Sequence, residues 1–233
     1  MEGLKDKITE AINILTDRSR ISNIMVGLSG GKDSLCLCQL VKMAGIKNVG
    51  YFHMDFLPNL RVEDDFLRYP CERFGIDIET IDRVQSEHFY KCMRYSLYTW
   101  YSKSAKKDFP NISRTEIYNF IGRKHNATVA TGVKIADSMQ MERMVTLNRG
   151  TCIYPIKHWN MKDVFAFMNE YKIGIPPLTK MGVRGVGLDQ YDLHMIEKYY
   201  PDDLEKIEKV FPFCRALILP YKYFGLKESV RLA

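Results

Sequence analysis

The chain has 233 residues, of which 46% are hydrophobic and 27% are charged, and its formal net charge is +6. This composition excludes a largely disordered or fibrous protein and fits a single α/β domain. The positive charge suits anionic ligands such as phosphates, although an ordinary basic protein would explain it equally well. The N-terminal residues mix acids with bases and resemble no signal or transit peptide, and no stretch is apolar enough to span a membrane. We therefore expect a cytoplasmic protein that does not bind membranes.

Hydrophobic periodicity and turn residues predict strands that alternate with helices. In chain order we predict a helix over 4–15, a strand over 23–28, a helix over 33–43, a strand over 49–56, a helix over 63–74, a strand over 76–84, helical residues over 86–107, a helix over 114–125, a strand over 127–133, a helix over 136–147, a short strand over 152–156 and a helix over 161–171. This alternation predicts a parallel sheet with helices on both faces.

After residue 171 the sequence no longer alternates between predicted strands and helices. The glycines and prolines of 174–187 predict a loop, which is followed by helices near 188–199 and 202–210 and by an irregular tail. We therefore expect a nucleotide-binding region over 1–187, including the N-terminal helix, and a helical C-terminal extension of the same domain over 188–233.

A glycine-rich turn, Ser29-Gly30-Gly31-Lys32-Asp33-Ser34, follows the first predicted strand and precedes the second helix. Gly30 and Gly31 let the backbone curl tightly, and the free amides at the start of a helix attract anions. Lys32 adds a positive charge, and the hydroxyls of Ser29 and Ser34 add hydrogen bonds. In a parallel sheet this first turn is the usual place for phosphate. The spacing matches neither G-x-x-x-x-G-K-S/T nor G-x-G-x-x-G.

These six residues resemble the S-G-G-K-D-S signature of the ATP pyrophosphatase, or PP-loop, superfamily. Thr131-Gly132-Val133-Lys134 with Asp137-Ser138 is similar to the T-G-x-R/K-x-x-E/D-S segment of phosphoadenosine phosphosulfate (PAPS) reductase-like proteins. Tyr154-Pro155-Ile156 with Trp159 and Asp163-Val164 is similar to their N-P-L-x-x-W-x-x-x-D-V segment, and Pro177-Leu178 with Gly182 to the following P-L-x-x-x-G. The resemblance implies a Rossmann-like, adenine nucleotide alpha hydrolase-like fold that binds ATP or PAPS.

The resemblance also implies roles for individual residues. Lys32, Asp33 and Lys134 are the expected catalytic residues. Gly132 would permit close approach to the nucleotide, while Lys134 and Arg143 would neutralise phosphate or sulfate oxygens, although Arg143 lies two places later than the family spacing. Asp55 ends the second predicted strand and is either a ribose or metal contact or an ordinary turn residue. For Mg²⁺ we expect Asp33 first and Asp55 second.

Sulfonucleotide reductases attack the sulfate with a cysteine of a C-terminal E-C-G-L-H motif, and this chain departs from that pattern. Its tail reads Tyr223-Phe224-Gly225-Leu226-Lys227, with no cysteine after Cys214, whose apolar neighbours predict a raised thiol pKa. None of the cysteines forms a C-x-x-C pair, so we expect no iron–sulfur cluster. The nucleotide loop then implies attack on the α-phosphate of ATP, release of pyrophosphate and adenylation of an acceptor of unknown identity.

Other functions stay open at this point. The chain could be a PAPS reductase or sulfotransferase, or a non-catalytic nucleotide-binding subunit. Basic and aromatic residues alternate over 83–123, as in single-stranded nucleic-acid ligand sites, but an amphipathic helix with a buried aromatic face is the favoured interpretation. Aromatic-rich helices also form subunit contacts, so the sequence is compatible with a homodimer.

Overall fold

The computed structural model describes residues 2–80, 114–147, 150, 152–183, 185–212 and 214–224. The helical prediction over 86–107, and the part of the aromatic and basic segment before residue 114, lie outside these residues. Helices and strands are numbered below in chain order among the described residues.

One sheet of five parallel strands organises the fold. The strands are β1 (Asn23–Leu28), β2 (Val49–His53), β3 (Glu79–Thr80), β4 (Ala127–Ala130) and β5 (Cys152–Ile153). Their order is β3-β2-β1-β4-β5, so β1 lies at the centre. The chain adds β2 and β3 on one side of β1 and then β4 and β5 on the other, which places a topological switch point between β1 and β4. The predicted all-parallel sheet is confirmed.

Helices make up most of the remaining described chain. They are α1 (Glu2–Ser19), α2 (Lys32–Ala44), α3 (Arg61–Phe74), α4 (Arg114–His125), a 3₁₀ turn (Ile135–Asp137), α5 (Met139–Thr146), α6 (Met161–Glu170), α7 (Pro177–Lys180), α8 (Gln190–Tyr199), α9 (Pro201–Val210) and α10 (Cys214–Phe224). Among these described helices, none combines the length and the hydropathy that a membrane crossing requires.

The described chain forms two compact units, each with its own core. The first unit comprises residues 2–54, 69–80 and 114–176, and the second comprises 55–68 and 177–224. The predicted division at residue 187 stays a prediction about domain organisation. In the first unit, alternate residues of β1 pack with α1, α2 and α6, while α4 packs on β1 and β4. The second unit packs residues of α8, α9 and α10 around Phe56, whose ring stacks on Phe211 with centroids 5.8 Å apart.

Local sequence signals explain several boundaries. Asn160 caps α6, its side chain accepting hydrogen bonds from the Lys162 and Asp163 amides, while Asp163 accepts from the Asn160 amide. An asparagine at the N-cap with an aspartate three residues later is the sequence pattern of such a reciprocal cap. Gly75 has a φ of 62° directly after α3, a conformation that favours glycine and ends the helix.

Three predicted elements differ from the structure. The helix predicted over 136–147 is a 3₁₀ turn and then α5, because Ser138 adopts extended backbone and its hydroxyl caps α5 by accepting from the Met141 amide. The tail predicted as irregular contains α10, in which burial of Cys214 and Ile218 outweighs weak local signals. Likewise, α7 forms within the predicted loop over 174–187.

Strand ends also differ from the predictions. β2 ends at His53, so Asp55 lies two residues beyond the strand rather than at its last position. β4 ends at Ala130, which leaves Thr131 and Gly132 in the following turn. The backbone continues in extended form there, with the Thr131 amide donating to the Ile153 carbonyl at 3.2 Å. An apolar residue follows each strand within a few positions, Phe56 after β2 and Val133 after β4, and these residues extended the apolar pattern on which the predicted strand ends depended.

Candidate nucleotide-binding site

The glycine-rich turn is compact and closed by its own hydroxyl groups. Gly30 has a φ of 69°, a conformation that strongly favours glycine, and Gly31 is the N-cap of α2. The Ser34 hydroxyl donates to the Gly31 carbonyl at 2.8 Å, and the Gly31 amide donates to Ser29 Oγ at 3.4 Å. The first amides of α2 have no acceptor within the helix and lie at its positive end, which suits an anionic ligand.

The turn after β4 packs directly against this loop. A Cβ placed on Gly132 would lie 3.0 Å from the carbonyl carbon of Asp33 and 3.2 Å from the Asp33 Cβ. Only a residue without a side chain lets the two backbones approach so closely. Gly132 therefore serves first to bring the two segments together, in addition to the ligand contact predicted for it.

A buried ammonium group joins the same two segments. Lys134 Nζ lies 2.7 Å from Asp33 Oδ2 and 3.1 Å from Asp137 Oδ1, and the Lys134 side chain is only 2% exposed. Neither contact is aligned as a hydrogen bond, so both are ion pairs in character. Lys32 Nζ lies farther from Asp33 Oδ2, at 3.8 Å, and its side chain is 31% exposed. Lys134 therefore faces two carboxylates, and Lys32 is the more accessible ammonium of the loop.

A cleft of about 470 Å³ opens at the carboxyl ends of the strands. Its volume lies within the usual range for small-molecule sites. It is lined by Gly27, Leu28, Ser29, Asp33, Ser34, Phe52, His53, Met54, Tyr118, Thr131, Gly132, Val133, Asp137, Ser138 and Met141. These residues come from β1, β2, the loop, α4 and the turn after β4, so the cleft occupies the switch point of the sheet.

The cleft is lined by two chemically different sets of groups. The loop contributes Ser29, Asp33 and Ser34, whereas Phe52 and Tyr118 form an aromatic pair with centroids 6.5 Å apart and planes at 72°. Hydroxyl groups suit phosphates, a carboxylate suits a metal ion, and aromatic groups suit a nucleobase. The lining therefore combines groups for a polyanion with groups for a planar apolar ring.

The structure brings some of the predicted site residues together and leaves others apart. Ser29, Asp33, Ser34 and Gly132 line the cleft, and Lys32 and Lys134 adjoin it through Asp33. Gly30 and Gly31 shape the loop. Arg143 is exposed on α5 and borders a separate depression with Glu142, Thr146 and Leu147. Asp55 is half-buried and belongs to the second unit. The roles predicted for Arg143 and Asp55 stay predictions.

Several residues that line the cleft were not predicted from the sequence. Phe52 and Tyr118 lie on elements far apart in sequence and carry no motif, so only the fold reveals that they meet. Asp137 and Ser138 were noted only as motif letters, and the cleft shows them at its rim. Thr131 could have been found from the sequence, because it precedes Gly132 at the predicted end of a strand.

Described cysteines do not line the cleft, although Cys92 lies outside the described residues. Cys36 is buried behind the loop, where loss of solvation, followed by the nearby Asp33 charge, raises its thiol pKa to about 12. Cys214 is fully buried in the second unit, and burial raises its pKa as well, as predicted. A thiol held in its protonated form is a poor nucleophile.

Gly132→Ala is expected to destabilise the protein by about 1 to 3 kcal/mol, because the added methyl group would press on the Asp33 backbone. Urea denaturation measures this change. Gly3→Ala is the matched control, since no atom lies within 4 Å of its added Cβ and alanine is the better helix former in α1. Equal stability of the Gly132 variant and the wild type would contradict the close packing described here.

A parallel sheet whose order reverses beside a glycine-rich loop defines an α/β protein of the Rossmann-like class. Residues 23–190 match the model of the phosphoadenosine phosphosulfate reductase domain, and the chain belongs to that family. The family resemblance found in the sequence is thereby confirmed. No curated protein matches the sequence significantly.

Solved structures share the fold at low sequence identity. The FMN adenylyltransferase of Candida glabrata in complex with ATP superposes with a TM-score of 0.52 and 14% identity, over 80% of this chain and 61% of that chain. The PAPS reductase of Candida auris gives a TM-score of 0.49 and 15% identity, over 80% and 94%. The NH3-dependent NAD synthetase of Campylobacter jejuni gives 0.48 and 13%, over 95% and 96%. These neighbours are enzymes.

Proposed function

We propose that this chain is an enzyme that binds ATP in the cleft, cleaves it between the α and β phosphates and transfers the adenylyl group to an acceptor. The observation that carries the proposal is the meeting of the glycine-rich loop and the turn after β4 around one cleft, which is lined by both polar and aromatic side chains. An adenine nucleotide has the matching polarity, with phosphates at one end and a planar base at the other.

In the proposed complex the phosphates lie over the loop and the base lies toward Phe52 and Tyr118. The α2 amides and the Lys32 ammonium would stabilise the negative charge that develops on the leaving group. An acceptor oxygen would attack the α-phosphorus, and the bond to the α–β bridging oxygen would break, so that pyrophosphate leaves with the bonding electrons. Catalysis of this kind rests on positioning and charge stabilisation.

A Mg²⁺ ion fits the carboxylates of this cleft. Asp33 Oδ2 pairs with Lys134, while Asp33 Oδ1 is buried and has no hydrogen-bond partner in the described chain, so one oxygen is free to act as a ligand. Asp137 also lines the cleft. Mg²⁺ prefers phosphate oxygens, water and one or two carboxylates, and when bound it would supply additional positive charge against the phosphates.

The thiol chemistry favours adenylation over sulfonucleotide reduction. Reduction of PAPS needs a cysteine near the nucleotide to carry sulfite, and the cysteines of the described chain lie outside the cleft lining. The family match itself supports PAPS as the alternative nucleotide. Among the fold neighbours, the FMN adenylyltransferase has been solved with ATP and with FAD and inorganic pyrophosphate, which shows that this fold accommodates adenylyl transfer in that protein.

The proposal is tested by measuring ATP and PAPS binding by calorimetry and then analysing the products of each nucleotide with Mg²⁺ by chromatography. We expect micromolar to millimolar ATP affinity, and pyrophosphate with an adenylated acceptor once an acceptor is supplied from pools of small metabolites and RNA. Free AMP would form where water or a second nucleophile then displaces the adenylyl group. ADP with phosphate would contradict the proposed bond cleavage. Sulfite release from PAPS with a thiol reductant would support the reductase instead, and binding without turnover by any pool would favour a non-catalytic subunit.

A further inference from the structure

Thr131 is a buried polar residue that lines the cleft. It follows β4 directly, its backbone amide is fixed by the Ile153 carbonyl, and the residue is only 5% exposed although it lines the cleft. Its position between the strand end and Gly132 holds it at the point where the loop and the turn after β4 meet. Because its backbone is held in place, the Thr131 side chain has little freedom to move toward other polar groups.

The Thr131 hydroxyl has no hydrogen-bond partner among residues 2–80, 114–147 and 152–183 or in the rest of the described chain. Thr128, three residues earlier on β4 and 7% exposed, differs in this respect, because its hydroxyl lies 2.7 Å from Ser22 Oγ. Burying a hydroxyl without a partner costs folding free energy, and a valine of the same shape avoids that cost. Folding alone therefore does not explain the hydroxyl of Thr131.

We propose that the Thr131 hydroxyl is a ligand-binding group that hydrogen-bonds an oxygen of the bound nucleotide. Thr131 precedes Gly132, which packs on Asp33 of the loop, and a Cβ placed on Gly27 would lie 3.5 Å from Thr131 Cγ2 and 3.2 Å from Phe52 Cζ. Thr131 is therefore close to both the loop and the aromatic pair, and an oxygen of the ribose or of the α-phosphate can pair with its hydroxyl. This inference rests on the proposed nucleotide site and adds a residue to it.

Replacing Thr131 by valine should leave the stability of the ligand-free protein unchanged or raise it, and should lower ATP affinity. Thr131→Val should keep or raise the melting temperature of the ligand-free protein, because it removes an unpartnered polar atom, yet it should weaken ATP binding by about tenfold. Thr131→Ser keeps the hydroxyl and should bind ATP within about threefold of the wild type. Thr128→Val is the matched control, and it should lower the melting temperature and leave ATP affinity unchanged.

The experiment combines differential scanning calorimetry of the four proteins with titration of ATP and adenosine. Loss of affinity for both ligands identifies the ribose as the partner, and loss for ATP alone identifies the phosphate. A destabilised Thr131→Val protein, or one that binds ATP like the wild type, would overturn the inference. A wild-type protein that binds neither ligand would instead refute the proposed function, on which the inference depends.

Discussion

Lys134→Met is expected to lower the free energy of unfolding by about 2 kcal/mol. Its side chain is 2% exposed and its ammonium pairs with Asp33 and Asp137, so its removal leaves two carboxylates close together with only the more distant Lys32 ammonium, 3.8 Å from Asp33, beside them. The loss should be smaller than for a fully buried pair, because the carboxylate side chains are 25% and 39% exposed. Urea denaturation of purified protein measures the change.

A double-mutant cycle with Asp33→Asn tests whether the pair itself is responsible. Because each single substitution breaks the same contact, the double variant should be at least about 1 kcal/mol more stable than additivity predicts. The control is Lys7→Met, which removes a partly exposed ammonium 2.6 Å from Asp163 and should cost no more than about 1 kcal/mol. Additive effects of Lys134→Met and Asp33→Asn would show that the ion pair contributes nothing to stability.

The second large effect concerns ATP affinity. Lys32→Ala should weaken ATP binding or turnover at least about tenfold, because it removes the accessible ammonium of a loop built for phosphates. The melting temperature should stay close to that of the wild type, since the side chain is 31% exposed and its contact with Asp33 is long, at 3.8 Å.

The matched control lies on the same helix. Lys42→Ala changes the net charge equally, but it acts at the other end of α2, where the side chain is exposed. Titration calorimetry at one fixed ionic strength should therefore show a loss for Lys32→Ala only. Equal losses in both variants would mean that the overall charge of the protein, rather than the loop, attracts the nucleotide.

Lys134 also shows where sequence reasoning reaches its limit. It follows Gly132 by two residues in the motif, and the structure packs this turn against the glycine-rich loop. The motif could not show the direction of the side chain, which faces Asp33 and Asp137 instead of pointing freely into the cleft. Which carboxylates the Lys134 ammonium contacts depends on the 3₁₀ turn that follows it, and this turn was not predicted from the sequence. The predicted phosphate contact of Lys134 therefore stays a prediction.

Local sequence patterns were sufficient to predict those elements whose structure depends mainly on neighbouring residues. The strand over 23–28, the glycine-rich turn and the helix after it each depend on neighbouring residues and were predicted correctly. The aromatic side of the cleft depends on contacts between β2 and α4, which are distant in sequence. The helical tail depends on burial in the second unit rather than on its own residues. Long-range packing thus accounts for most of what the sequence alone could not predict.

The strand order has a consequence for how the cleft arises during folding. Asn23 of β1 pairs with Ala127 of β4, more than a hundred residues later in the chain, whereas Ile24 pairs with Val49 of β2. Closing the longer loop is entropically more costly and intrinsically slower. The β1–β2 half, with its glycine-rich loop, can therefore pair first. Thr131 and Gly132, which line the cleft, reach it only when β4 pairs with β1. We therefore expect the complete cleft to form late in folding.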